Sequence, residues 1–88
     1  MGSQKNAQKR KLIGLNIALH RKEKGLTQEQ LAEAVGKSLS YISQIEANSK
    51  GANPTLDTLI DISESLDVDL HRLLNIEYLL SALKELNE

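Results

Sequence analysis

Apolar residues recur along the chain at three- and four-residue spacings, interrupted by short polar breaks. Two-residue alternation is almost absent, and β-branched and aromatic residues contribute little, so helices and no sheet are predicted. The first helix is expected from about Lys9 to Lys24. Gly25 stops it, and Lys22 and Lys24 sit favourably in its last turn. Thr27-Gln28-Glu29-Gln30 reads as a capping box opening a short second helix through Val35, with Leu31, Ala32 and Val35 on its apolar side. Gly36 suits the left-handed position after it. Ser38 caps a third helix running to about Ala47, whose apolar stripe is Ile42 and Ile45, edged by Leu39 and Tyr41. Asn48 to Pro54 is a polar loop holding the only proline. Thr55 opens a fourth helix to about Leu66, with Leu56, Leu59, Ile60, Ile62 and Ser63 toward its inner face. Asp69 is the candidate cap of a last helical region, where Leu70, Leu73 and Leu74 lead into Ile76, Leu79, Leu80 and Leu83 at i, i+3, i+4 and i+7. The pattern leaves open whether Leu74-Asn75-Ile76 is a break or a continuous turn. The expected fold is all-α with five helices.

Composition narrows the function classes. With 88 residues the chain is one domain. At this size a chain buries only about 60–65% of its unfolded surface, and oligomerisation is a common remedy. Cysteine is absent, which excludes disulfides and thiolate metal sites. His20 and His71 have no ligand spacing around them, and His20 reads as a hydrogen-bonded core histidine. Neither a metal nor a cofactor is expected. No apolar run approaches the roughly 20 residues that span a bilayer. No signal peptide is visible, so a cytoplasmic protein with no membrane partner is expected. Charge is uneven. Residues 1–25 carry +6, residues 26–50 carry −1 and residues 51–88 carry −6. The readings are two solvated faces that happen to differ, or an electropositive face that meets an acidic polymer. Lys5, Lys9, Arg10 and Lys11 fall in or beside a flexible basic lead-in over residues 1–8, either solvated or a phosphate or minor-groove arm.

The second and third helices carry the most information. Two short helices joined by a short glycine-containing turn make a helix-turn-helix. Ala32 is small where the third helix crosses the second, and Leu31, Val35, Ile42 and Ile45 bury the inner surfaces. Ser40, Ser43, Gln44 and Ala47 remain on one outer face, without charge or bulk. Small hydroxyls and an amide suit close approach to base edges, because Gln pairs bidentately with adenine and Ser serves donors or acceptors. Packing or protein contact alone is the blander reading of the same motif.

The stretch Gly25-Leu26-Thr27-Gln28-Glu29-Gln30-Leu31-Ala32, then Gly36, then Tyr41-Ile42-Ser43-Gln44-Ile45-Glu46, then Asn53-Pro54-Thr55-Leu56-Asp57-Thr58-Leu59, resembles the phage repressor/Cro-type (XRE-like) helix-turn-helix family. Asn16 to Arg21, Tyr41 to Glu46 and the C-terminal extension are similar to the small controller proteins of restriction–modification systems. The resemblance implies a compact repressor-like DNA-binding domain over residues 9–74. It also implies a helical dimerisation extension over residues 75–88. It further implies that Thr27 and Gln28 meet backbone phosphate, and that Gln28 braces the recognition helix. By the same resemblance Ser38, Leu39, Ser40, Ser43 and Gln44 face DNA. Tyr41 approaches the backbone or a thymine methyl, with a core-edge role as its alternative. Lys37, Asn48 and Lys50 are expected on the phosphates. Arg21 and Glu46 match a partly buried salt bridge tying the first helix to the end of the third.

Three departures stand out, the first being His20 at a position the family often fills with a core leucine. Leu39 occupies a position often held by Arg or Gln, and the loop before Pro54 is about two residues longer than the family pattern. Leu73, Ile76, Leu79, Leu80 and Leu83 either fold back on the domain or, as favoured here, form an isologous dimer seam. The expected function is a homodimeric transcriptional regulator that reads an inverted repeat in double-stranded DNA, with a restriction–modification operon as a candidate target. RNA polymerase is a further candidate partner, and no small-molecule ligand is expected. The alternative is an antitoxin that binds operator DNA and a protein toxin. No catalytic motif accompanies these features: His-Glu-x-x-His, a glycine-rich phosphate loop and a nucleophile elbow are all missing from the sequence.

Overall fold

A computed structural model describes residues 2–48 and 52–86, with side chains from Asn6 onward. Among these residues six helices follow one another: α1 (Gly2–Glu23), α2 (Gln28–Val35), α3 (Leu39–Ala47), α4 (Leu56–Leu66), α5 (Leu70–Leu73) and α6 (Ile76–Leu86). No strand occurs among the described residues.

The caps behave as local chemistry requires. Thr27 Oγ1 accepts from the Gln30 amide at 3.0 Å, and Gln30 Oε1 accepts from the Thr27 amide at 2.9 Å. Gly36 takes φ +69°, which lets its amide and that of Lys37 bond back to the last carbonyls of α2. Ser38 and Thr55 accept from the amides of Tyr41 and Thr58 at 3.0 and 3.1 Å.

Several expectations are corrected. Helix α1 starts at Gly2, upstream of Lys9, so residues 2–8 are helical where a flexible lead-in was expected. Gln, Lys and Ala fill that stretch and no proline interrupts it. The last helical region is two helices, which makes six where five were expected. Leu74 leaves helical geometry at φ −93° and ψ 0°, and Asn75 Oδ1 restarts the chain by accepting from the Tyr78 amide at 3.1 Å. Asp69 stands at the N-cap of α5 but makes no side-chain cap bond. Leu56 points to solvent at 62% exposure, because α4 turns Thr58, Ile62, Ser63 and Leu66 inward instead. Leu73 and Leu79 are not free for a seam between subunits. Leu73 is wholly buried in the core, and Leu79 is buried where α6 meets α1.

One core holds the chain, built from Ile17, Leu31, Ala32, Ile42, Ile45, Ile62, Leu66 and Leu73. Helix α3 packs on α1 and α2, α4 packs on α2 and α5, and α6 packs on α1. His20 is buried, its Nδ1 lies 3.3 Å from Glu23 Oε1, and its ring stacks on Tyr78 of α6 with centroids 6.2 Å apart. Asn16 Nδ2 donates to the carbonyls of Arg72 and Leu73 at 3.1 and 2.5 Å, which joins α1 to the end of α5.

Helix α1 meets α3 at Gly14. A Cβ there would press on the Ile45 carbonyl oxygen and lie 2.8 Å from that of Glu46. At an open helical site alanine would stabilise by about 1 kcal/mol. Here backbone oxygens block it, so Gly14→Ala is expected to destabilise by about 1–3 kcal/mol in urea unfolding. A stability equal to or above the parent's would show that α1 and α3 separate freely.

Candidate nucleic-acid interface

The interface is assembled from three pieces of chain. The N-terminus of α2 supplies Thr27 and Gln28. The three-residue turn Gly36–Ser38 supplies Lys37 and Ser38. Helix α3 supplies the outer row. Thr27, Lys37, Ser38, Leu39, Ser40 and Ser43 are exposed, whereas Gln28, Tyr41, Gln44 and Asn48 are half-buried. Lys50 lies outside the described residues.

What fixes α3 is a buried ion pair. Arg21 Nε donates to Glu46 Oε2 at 2.6 Å, and Arg21 Nη2 donates to Glu46 Oε1 at 3.0 Å. The two residues are 7% and 6% exposed, so the fork-to-fork geometry operates largely without water. Two further contacts extend the pair, of which the first has no signal in the sequence and the second gives the bracing expected of Gln28 its partner. Arg21 Nη1 donates to the Leu26 carbonyl at 2.7 Å, which secures the turn between α1 and α2. Gln28 Nε2 donates to Glu46 Oε1 at 2.9 Å, which ties the start of α2 to the end of α3. Gln28 thus braces α3 with one of the two amide protons of its side chain.

The outer face of α3 presents two rows at i, i+4 spacing, Leu39 with Ser43 and Ser40 with Gln44. Gln44 Nε2 donates to Ser40 Oγ at 3.2 Å, so the amide is held while its oxygen and second proton remain available. The i, i+4 spacing is visible in the sequence, whereas the bond itself is seen in the structure. Lys37 holds its ammonium 5.5 Å from the centroid of the Tyr41 ring, at the rim of the same face. The α3 C-cap Asn48 takes φ +50° and lines a cleft with Arg10 of α1 and with Asn53 and Pro54. Among the described residues no group of acids, histidines or cysteines could hold a metal ion. No helix among them is long and apolar enough to cross a membrane.

A helix-turn-helix family model matches residues 17–73. The HTH-type transcriptional regulator SinR of Bacillus subtilis (strain 168) is 44% identical over 64 residues, covering 73% of this chain and 57% of SinR. The matched stretch therefore spans little more than half of that relative. A crystal structure of SinR in complex with DNA aligns with a TM-score of 0.66 at 44% identity, over 72% of this chain and 98% of that one. The restriction-modification controller protein C.AhdI from Aeromonas hydrophila aligns with a TM-score of 0.66 at 28% identity, over 72% of this chain and 92% of that one.

The ion pair makes a direct prediction. Arg21→Met strands the buried Glu46 carboxylate, at an expected cost of about 3–5 kcal/mol in urea unfolding. A loss under about 1 kcal/mol would mean that water reaches the pair and that it does not hold α3.

Proposed function

The chain belongs to the helix-turn-helix family of transcriptional regulators, and from that premise we propose that it reads a specific DNA sequence as a homodimer, with α3 of each subunit in a major groove. The observation that carries the reading is the outer face of α3, an uncharged row in which Ser40 holds Gln44, set on a helix that a buried ion pair locks in place. An uncharged face of small hydrogen-bonding side chains adds no charge attraction to phosphate and can come close to base edges, whose donor and acceptor pattern it can match. Around it, Thr27, Gln28, Lys37, Asn48 and Lys50 take phosphate and set the register. Ser38 and Tyr41 lie at the edge of the reading row. The protein works in the cytoplasm, at the nucleoid. The likeness to C.AhdI supports a restriction–modification operon as its target, where RNA polymerase is the machinery it regulates.

Dimerisation falls to the apolar face shared by α1 and α6. Leu80, Leu83 and Leu86 are exposed there at 48%, 39% and 82%, and Leu15 of α1 lies across the groove. Such a face on an 88-residue chain calls for a cover, and a second copy supplies the same face by two-fold symmetry. To reach successive major grooves on one side of the duplex, the two copies of α3 in such a dimer would have to lie about 34 Å apart.

Selection of bound duplexes from random DNA at about 150 mM salt tests the reading. An inverted repeat with half-sites about one helical turn apart is the expected result. Gln44→Ala is then expected to cost about 1–3 kcal/mol on the selected site and little on scrambled DNA. Equal losses on both would remove Gln44 as a reader. The double variant Leu80→Glu, Leu83→Glu is expected to sediment as a folded monomer and to lose at least tenfold in affinity for the repeat, since half of the contacts no longer act together. A variant that still sediments as a dimer would place the seam elsewhere.

A further inference from the structure

Leu39 is 48% exposed on the first turn of α3 and does not join the core cluster, whose α3 members are Ile42 and Ile45. It stands among hydroxyls. Ser38 precedes it, Ser40 follows it, and Ser43 lies one turn on. A lone leucine so placed is too small an apolar patch to anchor a protein partner, and the other exposed apolar side chains of this fold gather mainly on α1 and α6. It is contiguous, however, with the Ser40–Gln44 row that faces base edges. The floor of a major groove carries one apolar group of matching size, the C5-methyl of thymine. Residues at the N-terminal end of a recognition helix are also the ones that reach deepest into the groove.

We infer that Leu39 is a specificity-determining residue that selects thymine by van der Waals contact with its C5-methyl group. The inference rests on the DNA-reading role proposed above and names the base that this role selects. Leu39 and Gln44 are five residues apart, about 7.5 Å along the helix axis. That is the span of about two base-pair steps. The preferred half-site therefore contains a thymine read by Leu39 within about two to three base pairs of an adenine read by Gln44. A charged or amide residue at position 39 would instead have sought a polar base edge. Leucine turns that position from a hydrogen-bond reader into a methyl reader.

The test uses the full chain and the duplex it enriches from random DNA. Each thymine of one half-site is replaced in turn by deoxyuridine, which deletes the methyl group and alters no Watson–Crick contact. Affinity is measured for the parent and for Leu39→Ala. At one position the parent is expected to lose about fourfold, the worth of one buried methyl group. Leu39→Ala is expected to bind the unmodified site about as weakly as that and to lose nothing further at the same position, while still responding to changes opposite Gln44. A parent indifferent to every deoxyuridine overturns the inference without reference to any variant. So does a Leu39→Ala protein that loses the same factor as the parent at each position. A folded parent that enriches no duplex overturns the DNA-reading role itself, and this inference with it; a parent that enriches a repeat but shows no methyl dependence overturns the role of Leu39 alone.

Discussion

The Arg21–Glu46 pair is the constraint on which the rest of the arrangement depends. It joins α1 to the last turn of α3 through two hydrogen bonds, and each partner then makes one more contact. Arg21 reaches the Leu26 carbonyl, and Glu46 receives the Gln28 amide. Four segments meet in one dry cluster: α1, the turn after it, the start of α2 and the end of α3. A pair buried this far gains little over an apolar substitute of the same volume, because desolvation offsets most of the Coulomb attraction. Its value lies in geometry. Apolar packing tolerates small slides, whereas a planar fork against a carboxylate does not. A helix that must set side chains against base edges needs the second kind of restraint.

Gly14 complements the ion pair from the backbone side. Without a Cβ, α1 can lie directly on the carbonyls of Ile45 and Glu46, and this close approach brings the Arg21 side chain within reach of Glu46. The same helix carries Asn16 and His20 on other sides, where they hold α5 and stack on α6. Helix α1 is therefore a spine with the proposed DNA reader on one flank and the proposed dimer seam on another. Two subunits joined at α6 would carry their α3 helices through a short and stiff path, a geometry that favours a fixed half-site spacing.

Much of this was legible in the sequence because it is written in local chemistry. The capping box at Thr27, the left-handed Gly36 and the Ser38 cap each depend on residues within one turn of each other. The outer face of α3 follows from periodicity once its ends are known. The remainder depends on partners distant in the chain. Leu73 and Leu79 belong to the same apolar stripe as Leu80 and Leu83, and nothing local tells which of them meets α1 or the core and which meets solvent. Leu56 looked apolar and inward, yet α4 is rotated by its packing against α2 and α5. The Asn75 cap that divides α5 from α6 was ambiguous because Asn serves equally in a turn or at a helix start. The extra turns of α1 have no stop signal before them, and helix propensity alone is a weak guide to where a helix begins.

The character of the reading face follows from what α3 lacks. Among its described residues the outer rows carry no arginine or lysine, so the helix adds little of the salt-dependent attraction that dominates affinity for DNA. In the proposed complex that attraction would come from Lys37 at the rim, from the α2 N-terminus and from the basic first third of the chain. Small hydroxyls and a leucine reach only a short distance, so base reading of the proposed kind would require α3 to sit deep in the groove, with the phosphates where the flanking elements could hold them. On that reading a duplex that accommodates this depth with little deformation would be favoured over one that resists it, and groove shape would become part of the recognised signal even at base pairs no side chain touches. In the proposed complex the division would be physical: charge on the flanks would supply grip, and an uncharged helix held by one buried ion pair would supply discrimination.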